Sequence, residues 1–353
     1  MHFNLIIFMK RFLTVITLVQ MTLASTLVAQ VKPSIYLTGY TFSAQKKDVG
    51  VLKNGGDAKI TSITLSGPDA AAFKIDKGNV LTLRNNVVKP DVKWLDVAIT
   101  AKTTGAEIKE SFRIVRDQFI HNKVVAHRGA WKNTGATENS IAALKHAIDM
   151  GCEGSEFDVH LSSDSVLFVN HDDIIQGLTI EKTPSQTLAA VKLSNGESLP
   201  TLKDYLLAGM NQNKTKLVLE IKASIISKER GIALTHKVMA MVRELKAEAW
   251  VDYISFDYEV CKEVIKLAPY AQSAYLKSDK APAALAADHL TGLDYHFSIM
   301  QKNPDWFKEA RAAKVSINVW TVNEEPLMDW LLNEKVDYIT TNEPELLLKK
   351  LNK

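Results

Sequence analysis

Cysteine is scarce in this chain of 353 residues, and so is any excess of charge. The two cysteines, Cys152 and Cys261, are predicted to lie in two different helices, so neither a disulfide framework nor a C-x-x-C metal site is expected. The formal net charge is +3, and falls to +1 without Lys10 and Arg11, which gives no case for a nucleic-acid partner. Outside residues 12–28, no apolar run is long enough to cross a bilayer.

The composition is otherwise that of a folded protein, with 46% hydrophobic and 24% charged residues, which excludes disordered and collagen-like chains. At about 150 residues per domain this length predicts two domains, although one α/β barrel alone can take about 250 residues.

The first 29 residues are predicted to be a signal peptide. The largely apolar segment 12–28 follows Lys10 and Arg11 and precedes the small residue Ala29, which is the three-part pattern of secretory leaders. We therefore expect an exported protein, periplasmic or secreted, with no stable membrane insertion once the leader is removed. An uncleaved anchor is the alternative, but the segment contains six polar residues and is short for a span of about 20 apolar residues. Met9 is an alternative start.

Residues 31–118 are predicted to form a small all-β sandwich. Short segments rich in β-branched and aromatic residues alternate with turns such as 76–79. The segment DAAAFKIDKGNVLTL resembles cadherin-like repeats, but the acidic calcium motifs of cadherins are absent. We expect a spacer or docking module here, with sugar or surface binding as the alternative.

Residues 121–353 alternate between strand and helix patterns. Eight strands are predicted, which favours a TIM (β/α)8 barrel over a doubly wound sheet. They are VVAHRG, SEFDVHL, KLVLEIK, VDYISFD, SAYLKS, GLDYHF, VSINVW and DYITTN. Between the first two, Ile141, Leu144 and Ile148 have helical spacing, with Asn139 or Ser140 as N-cap and Gly151 as the end.

In such barrels the reacting groups come from the C-terminal ends of the strands. Polar residues gather there on four predicted strands: His127 and Arg128 on the first, Glu156 and Asp158 on the second, Glu220 and Lys222 on the third, and Trp320 on the seventh. Because side chains alternate along a strand, Glu156 and Asp158 share one face, as do Glu220 and Lys222.

Three carboxylates converging in one barrel mouth would repel one another unless a cation lies among them. Oxygen ligands select Mg²⁺ or Ca²⁺ over Zn²⁺, so Glu156, Asp158 and Glu220 predict a site for one of these two ions.

Two histidines and two cationic side chains accompany the predicted metal site. His127 and His171 titrate near neutral pH and can act as general base and general acid. Arg128 and Lys222 add positive charge suited to an anionic phosphate. Together with a metal they indicate phosphodiester cleavage. His160 is expected to be structural, and the remaining histidines are not accompanied by candidate metal ligands or cationic residues.

The run from Val124 to Asp173 resembles the signature region of the glycerophosphodiester phosphodiesterases, in which His-Arg-Gly, Glu-Asn, Glu-x-Asp-Val and His-Asp recur in this order. LPTLKDYL, LEIK, VWTVN and DYITTNEP extend the resemblance over residues 123–350. The departures are Thr137 in place of a proline, the turn at residues 162–165, and a divergent loop after His171, which leaves the alcohol specificity open.

The resemblance implies a TIM barrel that hydrolyses glycerophosphodiesters to glycerol 3-phosphate and an alcohol with a divalent cation. It assigns His127 and His171 as the acid–base pair, the three carboxylates as metal ligands, and Arg128 and Lys222 as phosphate ligands. Attack by the substrate's own 2-hydroxyl would give a cyclic phosphate that is then hydrolysed. Trp320 would either face the glycerol backbone or lie in the core, and Glu138 would support the site.

Three alternatives remain at this point. A related barrel phospholipase would act on phosphoinositide or sphingomyelin-type lipids. An exported, non-catalytic surface-binding module would not need all seven candidate residues. A glycosidase needs only two carboxylates and would leave both histidines unexplained. The expected partner is a small glycerophosphodiester, and the sequence leaves the oligomeric state open.

Overall fold

A computed structural model of the chain describes residues 35–85 and 88–351. The predicted signal peptide, residues 1–29, lies outside the described residues. The described chain folds as a β sandwich followed by a closed parallel barrel, joined through a short connection around Phe119.

The sandwich consists of two four-stranded sheets. In spatial order, the first contains Ile35–Leu37, Asp48–Asn54, Val80–Leu83 and Phe73–Asp76, and the second contains Thr41–Phe42, Glu107–Arg116, Trp94–Thr103 and Ile60–Ser66. Alternate residues of the long central strand, Leu95, Val97, Ile99 and Ala101, are buried, as expected for a strand with one face on the core.

Strand Asp48–Asn54 was not among the strand-like segments predicted in this region, which are SIYLTGY, KITSITLSG, NVLTLRN, KWLDVAIT and ESFRIV. Its pairing with Val80–Leu83 is interrupted by a register shift between Asp48 and Gly50, and a glycine in a strand weakens the sequence signal. Gly50 is required there, because a Cβ atom would lie 2.5 Å from the backbone nitrogen of Gly39. The resemblance of this region to cadherin repeats stays a prediction.

The eight predicted barrel strands are confirmed. They are Val124–Ala126, Gly154–Leu161, Lys216–Ile221, Val251–Ser255, Ser273–Tyr275, Gly292–His296, Ser316–Trp320 and Tyr338–Thr341. Each is parallel to the next, and Val124–Ala126 pairs with both Tyr338–Thr341 and Gly154–Leu161, which closes the barrel. Val125, Val218, Ile254 and Leu276 pack together inside it. The predicted TIM barrel is therefore confirmed.

Helices surround the barrel: Ile141–Met150, Ser185–Ala189, Leu202–Gly209, Lys228–Leu245, Tyr258–Leu267, Pro282–Ala287, Phe297–Lys302, Asp305–Ala313, Glu325–Asn333 and Pro344–Leu351. The first begins at the N-cap Ser140, whose hydroxyl accepts a hydrogen bond from the Ala143 N–H, and ends at Gly151 with φ +77°. Cys152 was wrongly predicted to be helical, since it follows that glycine. Among the described helices, none has the length and apolarity needed to cross a membrane.

The sandwich packs against the N-terminal end of the barrel. Trp94 lies edge-on to Trp250, which directly precedes a barrel strand, with ring centroids 6.2 Å apart. Tyr40 contacts Tyr270 in a tilted arrangement, with ring centroids 4.9 Å apart. Because parallel barrel strands present their catalytic ends on the opposite side, the sandwich leaves the predicted active-site end uncovered.

Candidate active site

The polar residues predicted to form the site lie at the C-terminal ends of the barrel strands. Their side chains meet around one small cavity of about 100 Å³. Its lining includes His127, Arg128, Glu156, His171, Glu220 and Trp320. Six of the eight candidate residues therefore come together in one space, and Asp158 and Lys222 lie directly behind it through contacts with Glu220.

Glu156, Asp158 and Glu220, here called the carboxylate cluster, are each less than 6% exposed. Each offers an oxygen atom, and these atoms lie within 4.8 Å of one another. Neighbouring strands create this proximity, since Asp158 and Glu220 are register partners across a parallel pair. Among residues 35–85 and 88–351 it is the one group of three or more such side chains that could hold a metal ion.

Lys222 bridges two members of the carboxylate cluster. Its Nζ atom lies 3.0 Å from Glu220 Oε1 and 3.2 Å from Asp158 Oδ1. Although burial alone would raise it, this contact holds the pKa of Asp158 below its usual range, so Asp158 stays ionised. Lys222 was predicted to bind phosphate. In the structure its ammonium group contacts Glu220 and Asp158 instead.

The other two carboxyl groups are difficult to ionise together. Burial, reinforced by the charges of Asp158 and Glu220, raises the pKa of Glu156 well above its ordinary value. Burial and the charge of Asp158 raise the pKa of Glu220 to about 8, although Lys222 opposes the shift. One lysine therefore does not neutralise the carboxylate cluster. An all-oxygen donor set with surplus negative charge fits a hard divalent cation such as Mg²⁺ or Ca²⁺.

The His-Arg-Gly motif is explained by its backbone. Arg128 and Gly129 both have positive φ, +60° and +78°, so the chain turns sharply after the strand. A Cβ atom on residue 129 would lie 2.7 Å from Ala143, so only glycine permits this approach of the next helix. The turn directs the Arg128 N–H to Glu156 Oε2 at 2.8 Å.

The Glu-Asn pair positions two groups of the site. Glu138 Oε2 accepts a 2.9 Å hydrogen bond from the Arg128 guanidinium, which confirms contact with the site for a residue expected to support it. Asn139 is 2% exposed, donates to Asp158 Oδ2 at 2.8 Å and accepts from the Asp158 N–H at 3.1 Å. Asn139 therefore holds both the backbone and the carboxylate of Asp158.

One ring nitrogen of His127 is hydrogen-bonded, and the other has no hydrogen-bond partner among residues 35–85 and 88–351. Nδ1 lies 2.8 Å from Oδ1 of Asn342, which follows the last barrel strand. Because an amide oxygen can only accept, Nδ1 carries the proton and Nε2 keeps its lone pair. Burial, together with the Arg128 charge, lowers the pKa of His127 to about 4, so the ring is neutral at pH 7 and able to accept a proton.

His171 lies on the other candidate segment, and its side chain is 32% exposed. Its Nδ1 atom contacts Asp172 Oδ1 at 2.7 Å, and this contact fixes the orientation of the ring. The buried His160 ring lies 3.3 Å from the backbone oxygen of His171. His160 therefore supports the segment that carries His171, as expected for a structural residue.

Trp320 forms one wall of the cavity. Its indole N–H donates to the backbone oxygen of Asp294 at 2.8 Å, and its ring is held edge-on by Phe256 and His296, at 5.6 and 5.3 Å. The ring is half-buried and lines the cavity, so it is not confined to the core. His296, to which the sequence analysis assigned no role, thus lies at the edge of the site.

The divergent segment after His171 forms a small hairpin, Ile174–Ile175 and Leu178–Thr179, turned by Gln176 and Gly177 with positive φ. Glu181, just beyond it, is 4% exposed and accepts hydrogen bonds from Ser224 Oγ and the Ile225 N–H at 3.0 and 2.8 Å. This carboxylate ties the hairpin to the loop after Lys222.

The sequence reasoning missed the partners of the reacting groups. Asn342 and Asp172 lie inside quoted motifs but were given no role, and Asn139 was considered only as a helix N-cap. An available signal was position, because Asn342 follows a barrel strand as His127 does.

Comparison with known proteins agrees with this geometry. Residues 127–346 match the model of the glycerophosphoryl diester phosphodiesterase family. A glycerophosphodiester phosphodiesterase from Caldanaerobacter subterraneus is 29% identical over 248 residues, which cover 65% of this chain and 98% of that protein.

Two solved structures are similar as well. A glycerophosphodiester phosphodiesterase from Parabacteroides distasonis is 40% identical, with a TM-score of 0.64 over 66% of this chain and 98% of its own. An Oleispira antarctica phosphodiesterase, solved in complex with the product sn-glycerol-3-phosphate, is 25% identical, with a TM-score of 0.55 over 65% of this chain and 97% of its own.

Proposed function

Because this chain belongs to the glycerophosphoryl diester phosphodiesterase family and hydrolyses glycerophosphodiesters, we propose that His127 and His171 are its acid–base pair. The observation that carries the proposal is that both rings line the cavity that Glu156 and Glu220 also line. No serine or cysteine is needed as nucleophile, since the substrate's glycerol unit carries a hydroxyl next to the phosphodiester.

In the proposed reaction one histidine takes the proton of the glycerol 2-hydroxyl as its oxygen attacks phosphorus. The other histidine protonates the departing alcohol, and the cyclic phosphate is then opened by water with the two roles exchanged. The neutral ring of His127, with a lone pair on Nε2, is in the form that accepts a proton.

The carboxylate cluster would hold the divalent cation, Mg²⁺ or Ca²⁺. When bound, this ion supplies charge neutralisation at the phosphoryl oxygens. The surplus of buried carboxylates over cationic side chains supports this assignment.

Arg128 and Lys222 are proposed as the residues that contact the phosphate, and Trp320 as the wall against the glycerol backbone. Arg128 Nε is buried and has no hydrogen-bond partner among the described residues, so a donor remains available for an oxyanion. Lys222, whose Nζ atom lies beside Glu220 at the cavity, would add positive charge toward the phosphate.

A test uses two substrates with different leaving groups. His127→Ala and His171→Ala should each lower the rate on glycerophosphocholine by about 10² or more while leaving the fold intact. A glycerol phosphodiester with a 4-nitrophenyl leaving group needs no general acid in the attack step. One of the two variants should therefore recover most of its rate on it.

The outcomes separate catalysis from structure. If neither variant recovers, or if both lose their fold, the proposed division between acid and base is wrong. ³¹P NMR during turnover should show a transient glycerol cyclic phosphate, and its absence from a slowed variant would contradict attack by the 2-hydroxyl.

We also propose that the protein is exported, on the support of the basic and apolar segments before Ala29. Mass spectrometry of the mature protein from its host should give an N-terminus immediately after the leader, near residue 30. A mature protein that retains residues 10–28 would contradict cleavage and favour an anchor.

A further inference from the structure

Asp294 is a buried acid inside the barrel that the catalytic roles above do not use. It lies in strand Gly292–His296, where its neighbours Leu293 and Tyr295 pack outward among the helices. The alternation of the strand therefore points Asp294 into the barrel. It is 2% exposed, and its Oδ1 atom has no hydrogen-bond partner among the described residues.

Asp294 forms the floor of the catalytic cavity. It lines that cavity together with Arg128, Glu220 and Trp320, and its backbone oxygen holds the Trp320 indole at 2.8 Å. It is not part of the carboxylate cluster. The acid thus lies against the wall proposed for the glycerol unit and is not one of the predicted cation ligands.

The surroundings of Asp294 indicate the kind of group it receives. None of the ion pairs between described residues includes it, and Asn318, its register partner, has its amide engaged with Thr340 at 2.9 Å. Burial raises the pKa of Asp294 to about 7, and the Asn318 amide beside it opposes this shift only in part. Asp294 Oδ1 is thus a buried acceptor without an ion-pair or hydrogen-bond partner among the described residues. A neutral donor can complete such an acceptor, and a hydroxyl group is the neutral donor of a glycerol unit.

We propose that Asp294 accepts a hydrogen bond from the terminal hydroxyl of the substrate's glycerol unit, and so makes the enzyme selective for fully deacylated glycerophosphodiesters. This inference rests on the proposed function, in which the 2-hydroxyl reacts and the terminal hydroxyl stays free. In a lysophospholipid acylated at that position, the oxygen carries no proton to donate, and Asp294 would stay unpaired.

The test compares glycerophosphocholine with an analogue in which hydrogen replaces the terminal hydroxyl. The wild-type enzyme should hydrolyse the analogue with a kcat/KM lower by about tenfold or more, since a site built for a hydroxyl rejects a substrate without one. Lysophosphatidylcholine should be a poor substrate for the same reason. Asp294→Ala should lower kcat/KM for glycerophosphocholine but not for the analogue, so that the variant has nearly equal kcat/KM values for the two substrates.

Controls separate recognition from folding. Asp294→Asn keeps an acceptor oxygen of the same size and should retain part of the discrimination. Asp252→Asn alters an acid that lines a separate cavity at the other end of the barrel, and should leave the substrate ratio unchanged. Asp294 lines that lower cavity too. If its role there were purely structural, Asp294→Ala would lower kcat/KM equally for both substrates, and this result would overturn the proposal.

Two results distinguish this inference from the reaction itself. A wild-type enzyme that hydrolyses both substrates equally well disproves selection by Asp294 whether or not the variants fold. A wild-type enzyme that releases no glycerol 3-phosphate from glycerophosphocholine would instead disprove the proposed function.

Discussion

Nδ1 of His127 lies 2.8 Å from Oδ1 of Asn342, a contact between residues 215 positions apart in the chain. The contact joins the first barrel strand to the last and sets the tautomer of the proposed catalytic ring. Asn342 is itself held by Asn323, whose side-chain oxygen accepts the Asn342 N–H at 2.9 Å. The orientation of the His127 ring therefore depends on Asn342 and Asn323, neither of which is among the residues that line the cavity.

Replacing Asn342 should impair catalysis more than binding. We expect Asn342→Ala to lower kcat by about tenfold or more with little change in KM, because the His127 ring loses the acceptor that fixes its tautomer. Asn342→Asp keeps an acceptor and should retain more activity. Steady-state kinetics measures this, and Asn211→Ala, at an exposed position at the other end of the barrel, is the control. An unchanged kcat for Asn342→Ala would show that the contact is structural only.

The carboxylate cluster should bind a divalent cation even when no substrate is present. Mg²⁺ or Ca²⁺ should raise the Tm of the wild-type protein, because an ion that binds the native state alone stabilises it. Glu156→Gln and Asp158→Asn should lose this shift, whereas Asp252→Asn should keep it. Comparing the two ions in titration calorimetry identifies the one that binds more tightly. An equal Tm shift in all variants would place the ion elsewhere.

Trp320 should contribute to substrate binding through its ring. We expect Trp320→Ala to raise KM for glycerophosphocholine by about tenfold, because the cavity loses an apolar wall, and Trp320→Phe to have a smaller effect. Initial-rate measurements over a range of substrate concentrations test this. A fall in Tm without a change in KM would instead assign Trp320 to the core.

Glu248, at the contact between sandwich and barrel, should make stability depend on pH. Its Oε2 atom is buried and has no partner among the described residues, and burial raises the pKa of Glu248 from 4.5 to about 7. The folded state thus favours the neutral form of Glu248. The contribution of this group to the free energy of unfolding is complete below pH 4.5 and is lost as the pH rises through 7. With about 1.4 kcal/mol per pKa unit, the loss is on the order of 3 kcal/mol.

Denaturant unfolding at pH 5 and pH 8 measures this effect. Glu248→Gln should be closer to the wild type at pH 5 and more stable than it at pH 8. The comparison with wild type is necessary because other buried acids also titrate in this range. A difference between the two proteins that does not change with pH would contradict the account.

The sequence was sufficient to predict the barrel and the end of it at which the candidate site residues meet, because both depend on local patterns. All eight strands have alternating or buried apolar residues, and the charged residues at their ends follow from strand direction alone. Strand Asp48–Asn54 was missed because Gly50 and a register shift interrupt its pattern.

The supporting contacts could not be predicted in the same way. An asparagine gives no periodic signal, and the partners of Asn342 and Asn139 are set by how distant strands meet. Asp294 is similar, since an acid in a weakly patterned strand is recognised as interior only when its neighbours are seen to pack outward.

The most direct test of the account measures glycerol 3-phosphate released from glycerophosphocholine by residues 31–353, with Mg²⁺ or Ca²⁺ and again with EDTA. The account predicts release that depends on the added ion, ends with EDTA, and falls by about 10² or more in His127→Ala. Release that continues unchanged in EDTA, or no release from a folded protein that binds the ion, would contradict it.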